Sequence, residues 1–471
     1  MAREAPRAIP LAHPASPSHD RLNPTKQNVK KSFVTGRAQS RGPRISIRNG
    51  RLIDPANGVD RDADLHIAAG RVVAVGAAPA GFQPDQTIDA RGHIVCPGFI
   101  DLSVRLREPG LEHKATIATE TAAAAAGGIT TLCCPPDTDP VIDTPAVAQL
   151  VHQIAERVGA ARVLPAAALT QDLDGDQISE MAALKAAGCP VLSHGSRPLH
   201  NPLFKRRALE YASTFGMTVF LVPEDDVLRH GGCAHEGSVA TRLGLPGIPE
   251  AAETVAVAQD LALAEQTGAR IHFRGLSTVK ATDKLAEAQR RSIPVSADVA
   301  VHQLFLTEDD LLGFDSNYHV LPPLRTQADR DGLRAAVTSG SIVAITSDHQ
   351  PHDADAKLAP FPETAPGISG LETLLPLVLR LVDQGVLDIS VAIERLTIGP
   401  AQVLGESLGH LGEGATANVC VFDLDEIWIP SATTLRSSGL NTPFLGQEMR
   451  GRVSWTLLAG EIVYQRKGEK E

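Results

Sequence analysis

Between residues 95 and 410 the sequence repeats one pattern: a short apolar run, a polar loop, then a stretch of helical period. The first run is Phe99-Ile100-Asp101-Leu102; the others fall at 129–134, 162–166, 191–193, 218–222, 270–273, 294–298 and 342–347. Helices are expected over 119–127, 146–158, 179–187, 203–214, 250–267, 278–291 and 328–339. Eight buried strands alternating with helices predict an α/β chain whose core is a closed (β/α)8 TIM-type barrel. Low aromatic content (4%) with 43% apolar residues agrees, because Ala, Val, Leu and Gly suit helices packed on buried parallel strands.

The flanks read differently. Residues 45–94 and 411–471 hold short strand-like pieces with polar turns, such as Ile45-Ser46-Ile47 and Val419-Cys420-Val421. Both ends are expected to pair into one small β-sandwich, with the barrel (95–410) inserted between them. Residues 1–44 are rich in Pro, Ser and basic side chains and have little apolar period, so they are expected to be a disordered basic tail. A net charge of −11 argues against general nucleic-acid affinity, and no apolar stretch is long enough to span a bilayer. The six cysteines form no C-x-x-C pair and read as buried thiols in a reducing compartment, which points to the cytoplasm.

In a barrel of this kind the chemistry lies where the strands end. After the first strand, Leu102, Val104 and Leu106 are expected to share one face and Ser103, Arg105 and Arg107 the other. The later strand ends carry Asp137, Thr170, His194-Gly195, Val222-Pro223-Glu224, Arg274-Gly275, Asp298 with His302, and Ser347-Asp348-His349-Gln350-Pro351-His352. A metal hydrolase would want histidines two residues apart after the first strand; here Ser103 and Arg105 stand there. The chain has 16 histidines, but no H-x-H or H-E-x-x-H spacing that would relocate a metal. Gly127-Gly128 lacks the following Lys-Ser or Lys-Thr of a phosphate cradle and reads as a turn.

Over about residues 45–465 these strand ends and their flanks resemble the dihydroorotase family, in its bacterial class I branch within the amidohydrolase superfamily. The motifs are Pro97-Gly98-Phe99-Ile100-Asp101, Arg107-Glu108-Pro109-Gly110, Gly127-Gly128-Ile129-Thr130-Thr131, Pro322-Pro323-Leu324-Arg325, Ser347-Asp348-His349-Gln350-Pro351-His352 and Asn441-Thr442-Pro443-Phe444. The resemblance implies a barrel of the amidohydrolase type and, in the family, a zinc-bound hydroxide that attacks a cyclic amide while an acid after the eighth strand moves the proton. It also implies degenerate metal positions at Ser103, Arg105, His194, Val222 and Gly275, with only the acid Asp348 retained. Arg107 and His352 match groups that hold the substrate carboxylate, whereas Asp137 replaces a substrate-binding Asn and would repel an anion.

Losing most ligands of a zinc site abolishes it, and Arg105 would place a fixed positive charge where the ion sits. The expectation is that Arg105 or Arg107 pairs with Asp348, that no zinc or other cofactor is held, and that Asp348 is not a working catalyst. Such a chain is similar to the pseudo-dihydroorotases that some bacteria need to build an active aspartate transcarbamoylase. The implied partner is the catalytic subunit of that enzyme, in a large hetero-oligomer of pyrimidine biosynthesis. The alternatives are a working cyclic amidohydrolase that keeps zinc, and a metal-free sensor whose Arg107 and His352 grip a carboxylate.

Overall fold

The computed structural model describes residues 42–197 and 199–466. The expectation of a basic tail falls on residues 1–41, outside that range, except at its last positions: Arg44 is held to Asp85 at 2.8 Å.

The barrel forms as the alternation requires. Its strands are Phe99–Asp101, Ile129–Cys134, Arg162–Pro165, Val191–Ser193, Thr218–Leu221, Ile271–Phe273, Val295–Ala300 and Ala344–Thr346. All neighbours run parallel. The third strand is interrupted after Pro165, and its continuation, Ala167–Ala168, pairs with the fourth. A single parallel bridge, Val104 to His349, joins the first strand to the eighth and closes the ring. Ile100, Leu102, Cys133, Leu164, Phe220 and Ala344 fill the interior. Threonines set the helix starts. Thr116 accepts from Thr119 N ahead of Ile117–Ala126, Thr278 from Ala281 N ahead of Val279–Arg290, and Thr326 from Asp329 N ahead of Gln327–Ser339.

The first strand departs from the sequence reading. Regular pairing stops at Asp101, and Leu102 packs into the barrel interior beside Ile100 rather than with Val104 and Leu106. Beyond Asp101 the chain follows irregular bonds, Val104 N to Cys133 O at 3.1 Å and Arg105 N to His349 O at 2.9 Å. Strict two-residue alternation therefore does not extend through Arg107, whose φ is +62°.

Both flanks contribute to the β-sandwich. One sheet has the order Glu461–Gln465, Met449–Leu458, Val419–Trp428, His93–Pro97, Arg51–Asp54, Val59–Asp62. Its central pairing, Cys420 opposite Cys96, joins the C-terminal strands to the N-terminal ones. The second sheet is Arg71–Val75, Leu65–Ala68, Ile45–Arg48, Gln86–Asp89, and Ile47, Leu65, Leu52, Val95, Val421 and Leu457 pack between the two. The chain passes from sandwich to barrel at Gly98, where a Cβ would run into the Thr130 side chain. The connection after Trp428 leaves the sandwich as a strap that reaches the barrel mouth: Ser437 Oγ donates to Glu120 at 2.6 Å, and Asn441 accepts from His352 N at 2.9 Å. Among the described residues no helix is long and apolar enough to cross a membrane. All six cysteines are free and buried.

Candidate functional site

Asp101, at the end of the first strand, fixes the geometry below the site. Its two carboxylate oxygens accept from Ser103 N and Ser347 N, each at 3.1 Å, which ties the first strand to the eighth. Burial pushes its carboxyl up to about 7. Asp348, after the eighth strand, sits in the left-handed region (φ +45°). There Ser103 Oγ donates to it at 2.7 Å and Gln350 Nε2 at 3.0 Å. The cation beside it is Arg274, at the end of the sixth strand. Its Nη2 lies 3.8 Å from Asp348 and donates to the same Ser103 hydroxyl. Burial alone would raise the Asp348 carboxyl; Arg274, then Arg105, overcome this and hold it below the usual carboxylate range.

The expected pairing of Asp348 with Arg105 or Arg107 is therefore corrected to Arg274. Both other arginines are held elsewhere. Arg105 donates through Nε and Nη2 to one oxygen of Asp137, at 3.1 and 2.9 Å. Asp137 thus does not stand as a free repelling charge; Arg105 keeps its carboxyl low against the upward push of burial. Arg107 donates to Pro351 O at 3.0 Å and lies 3.1 Å from His352 Nε2. Burial, then Arg105, bring its guanidinium down to about 10.

His352 is surrounded by donors. Lys114 Nζ lies 3.2 Å from Nδ1, and Pro366 O lies 3.0 Å from Nε2. An ammonium only donates and a carbonyl only accepts, so Nδ1 is the bare nitrogen and Nε2 carries the proton. Arg107 then faces an N–H rather than an acceptor. Burial, Arg107 and Lys114 push His352 down to about 3, so the ring stays neutral.

The other positions singled out in the sequence supply no metal ligand. His194 is buried, with Nδ1 at 3.5 Å from Thr170 Oγ1 and Nε2 without a hydrogen-bond partner among the described residues. Burial brings it down to about 4. Val222 lies just past the fifth strand, and Gly275 (φ +65°) gives its N–H to Asp298 at 2.7 Å. Two further histidines of the barrel are committed. His272 bridges Ser296 and Asp298 at 2.8 and 3.1 Å, and His349 bonds Glu120 at 2.8 Å, facing the strap. His302, buried near Asp348, is pushed down to about 4 by burial.

Among the described residues no three His, Cys, Asp or Glu converge as a metal site. The residues around Asp348 do not fit a zinc ion: Ser103 is a neutral hydroxyl, Gly275 has no side chain, and the Arg274 guanidinium approaches the acid from the metal's side. Asp348 accepts one bond on each carboxylate oxygen, from Ser103 and Gln350, and has Arg274 beside it, partners that favour its charged form. A cavity of about 20 Å3, room for a water molecule or two, lies beside Arg105, Arg107 and Asp137. Arg274 was read only as a strand-end residue and not as the partner of Asp348; the signal was an arginine immediately before Gly275, where the family carries a ligand histidine.

Comparison with known proteins shows the family to which the chain belongs. The family described as "Dihydro-orotase-like" matches residues 92–281, and "Amidohydrolase family" matches residues 230–463. A "Dihydroorotase-like protein" of Pseudomonas aeruginosa is 50% identical over 426 residues, covering 89% of this chain and 99% of that protein. One from Pseudomonas putida is 49% identical over 425 residues, with 89% and 99% covered. A "Dihydroorotase" of Anaeromyxobacter dehalogenans is 43% identical over 423 residues, with 89% and 98% covered. Among solved structures, the L-hydantoinase (dihydropyrimidinase) of Arthrobacter aurescens superposes with a TM-score of 0.81 at 23% identity, over 90% of this chain and 96% of that one. At that identity the likeness is one of fold alone.

Proposed function

Because this chain belongs to the dihydroorotase-like proteins of the amidohydrolase family, we propose that it is a non-catalytic, pseudo-dihydroorotase subunit. In this reading it serves the assembly of active aspartate transcarbamoylase in pyrimidine biosynthesis. The observation that carries the proposal is the guanidinium of Arg274 set beside Ser103 and Asp348, where the family's reaction needs a metal. A fold retained in full around a site rebuilt as an ion pair has kept its surface and its rigidity, the properties a scaffold uses. The partner in this reading is the transcarbamoylase catalytic subunit, in a large cytoplasmic hetero-oligomer, and the chain holds no metal cofactor.

The competing reading is a working cyclic amidohydrolase. It draws on relatives named dihydroorotase at 43% identity, which is high enough for a shared reaction. Metal analysis of the purified chain together with cyclisation of N-carbamoyl-aspartate separates the two. The scaffold reading predicts zinc well below one equivalent and no turnover. Stoichiometric zinc with turnover would sink it.

A further inference from the structure

The strap that leaves the sandwich is closed on the barrel by two carboxylates that meet at one residue. Ser437 Oγ donates to Glu120 Oε2 at 2.6 Å, and Ser437 N donates to Glu372 Oε2 at 3.1 Å. Its neighbours complete the clasp. Ser438 N donates to Glu120 Oε1 at 3.0 Å, and Arg436 N to both oxygens of Glu372, at 3.0 and 2.8 Å. Glu120 lies on the helix Ile117–Ala126, and Glu372 stands just ahead of the helix Leu374–Asp383. Further along, the strap is held without any acid. Gly439 lies so close to Pro351 that a Cβ would come within 2.7 Å of its Cα. Asn441 Nδ2 donates to Gln350 O at 2.9 Å and to Gly367 O at 3.0 Å. The strap thus has a neutral anchor at 439–441 and an acidic clasp at 436–438.

The two acids differ in their partners. Glu120 is fully buried; His349 Nε2 at 2.8 Å, with Ser437 and Ser438, holds its carboxyl below the usual range against the push of burial. Glu372 accepts from backbone N–H groups alone, and among the described residues no cationic side chain bonds it. The nearby cations are engaged elsewhere. Arg436 lays its guanidinium over the Tyr464 ring, 5.0 Å from the centroid, and Arg452 pairs with Glu426 at 3.2 Å. Tyr464 is pushed up by burial and brings no charge at neutral pH. Burial, with Glu120 as a like charge, brings the Glu372 carboxyl up to about 7. A cavity of about 30 Å3 bounded by Gly127, Glu372, Trp428, Arg436 and Tyr464 leaves room for a water molecule or two beside it. A second negative charge beside Ser437 is costly while the clasp is shut and cheap once that carboxylate meets water.

We propose that the clasp is a pH-sensitive latch: with Glu372 neutral, residues 436–438 lie closed on both acids, and ionisation of Glu372 lifts them while 439–441 stay anchored. The sign follows from linkage. An acid raised in the closed form favours closure most below the ordinary carboxylate range; the advantage is lost as pH rises from there to about 7 and is constant beyond. Because Glu120 also holds His349, next to Asp348, the latch and the turn at the barrel mouth share one carboxylate. The latch works in the same way whether the chain is a scaffold or a hydrolase.

The test follows hydrogen exchange of the full-length chain from about pH 5 to about pH 8, with protection corrected for the intrinsic rate at each pH. The amides of Arg436, Ser437 and Ser438 are expected to lose protection about tenfold or more over that range, while the sandwich strands keep theirs. Glu372→Gln keeps an oxygen for the two N–H groups and removes the charge. It is expected to hold the three amides at the wild-type acid level throughout. Carboxyl-carbon NMR of the wild-type chain needs no variant: one glutamate is expected to titrate at about 7, in step with the Ser437 amide. Protection at 436–438 that ignores pH in the wild type, an equal fall in Glu372→Gln, a fall shared by the sandwich strands, or no glutamate titrating with Ser437 overturns the latch.

Discussion

Replacing Arg274 with Met tests the ion pair at the centre of the barrel. The substitution keeps most of the side-chain volume and removes the guanidinium from a position only 6% exposed. Breaking a buried pair by deleting one partner costs about 3–5 kcal/mol, because the remaining charge is left buried. Asp348 keeps two of its donors, Ser103 at 2.7 Å and Gln350 at 3.0 Å, and its distance to Arg274 is a long 3.8 Å. The expected loss is therefore at or below the lower end, about 2–3 kcal/mol in urea unfolding at neutral pH. The pH dependence has a definite sign. Asp348 titrates lower folded than unfolded, so its contribution is full above the unfolded carboxylate value and is lost as pH falls through the lowered folded one. The gap between wild type and Arg274→Met should close in acid. Asp348→Asn added to Arg274→Met should recover part of the loss, because no uncompensated charge then remains. A cost under about 0.5 kcal/mol, or a double variant equal to the sum of the singles, would refute the pairing.

Three further outcomes are expected. His194, His302 and His319 are brought down to about 4, and His352 to about 3, chiefly by burial. Their folded values lie below the unfolded one of about 6.5, so each loses stability as pH falls from there toward its folded value. Urea midpoints should drop over that window, and His302→Gln should flatten the slope; an unchanged slope would count against a neutral buried ring. Glu120→Gln removes the charge that His349 and Ser437 share, so amide exchange in the strap residues 437–441 should rise while the sandwich strands stay protected. Equal protection in wild type and variant would show that the strap is held by other contacts. Added zinc should leave the thermal midpoint unchanged, since the residues about Asp348 do not fit the ion; a saturable rise would contradict this.

The fold was largely legible because its signals are local. Apolar runs spaced by helical stretches define the barrel. That side chains other than the family's ligands stand at these strand ends was legible too, since Ser103, Arg105 and Gly275 can be read one position at a time. Which arginine neutralises Asp348 was not. Three guanidinium groups, on Arg105, Arg107 and Arg274, compete for two acids, and the outcome depends on side-chain direction: Arg105 reaches Asp137, leaving the axis to Arg274. The strap was hidden for a similar reason. Ser437 and Glu120 stand 317 positions apart, and nothing local in either segment marks the pairing. The first strand was read as too long because its alternation of residue types continues after its hydrogen bonding stops at Asp101.

The central claim is that a hydrolase barrel has become an assembly part. Its most direct test is the transcarbamoylase activity and particle size of the catalytic chain, measured with and without this chain. The account predicts that active, large particles form only when both are present, and that the mixture does not cyclise N-carbamoyl-aspartate. Full transcarbamoylase activity without this chain, or cyclisation that tracks bound zinc when it is added, would contradict it.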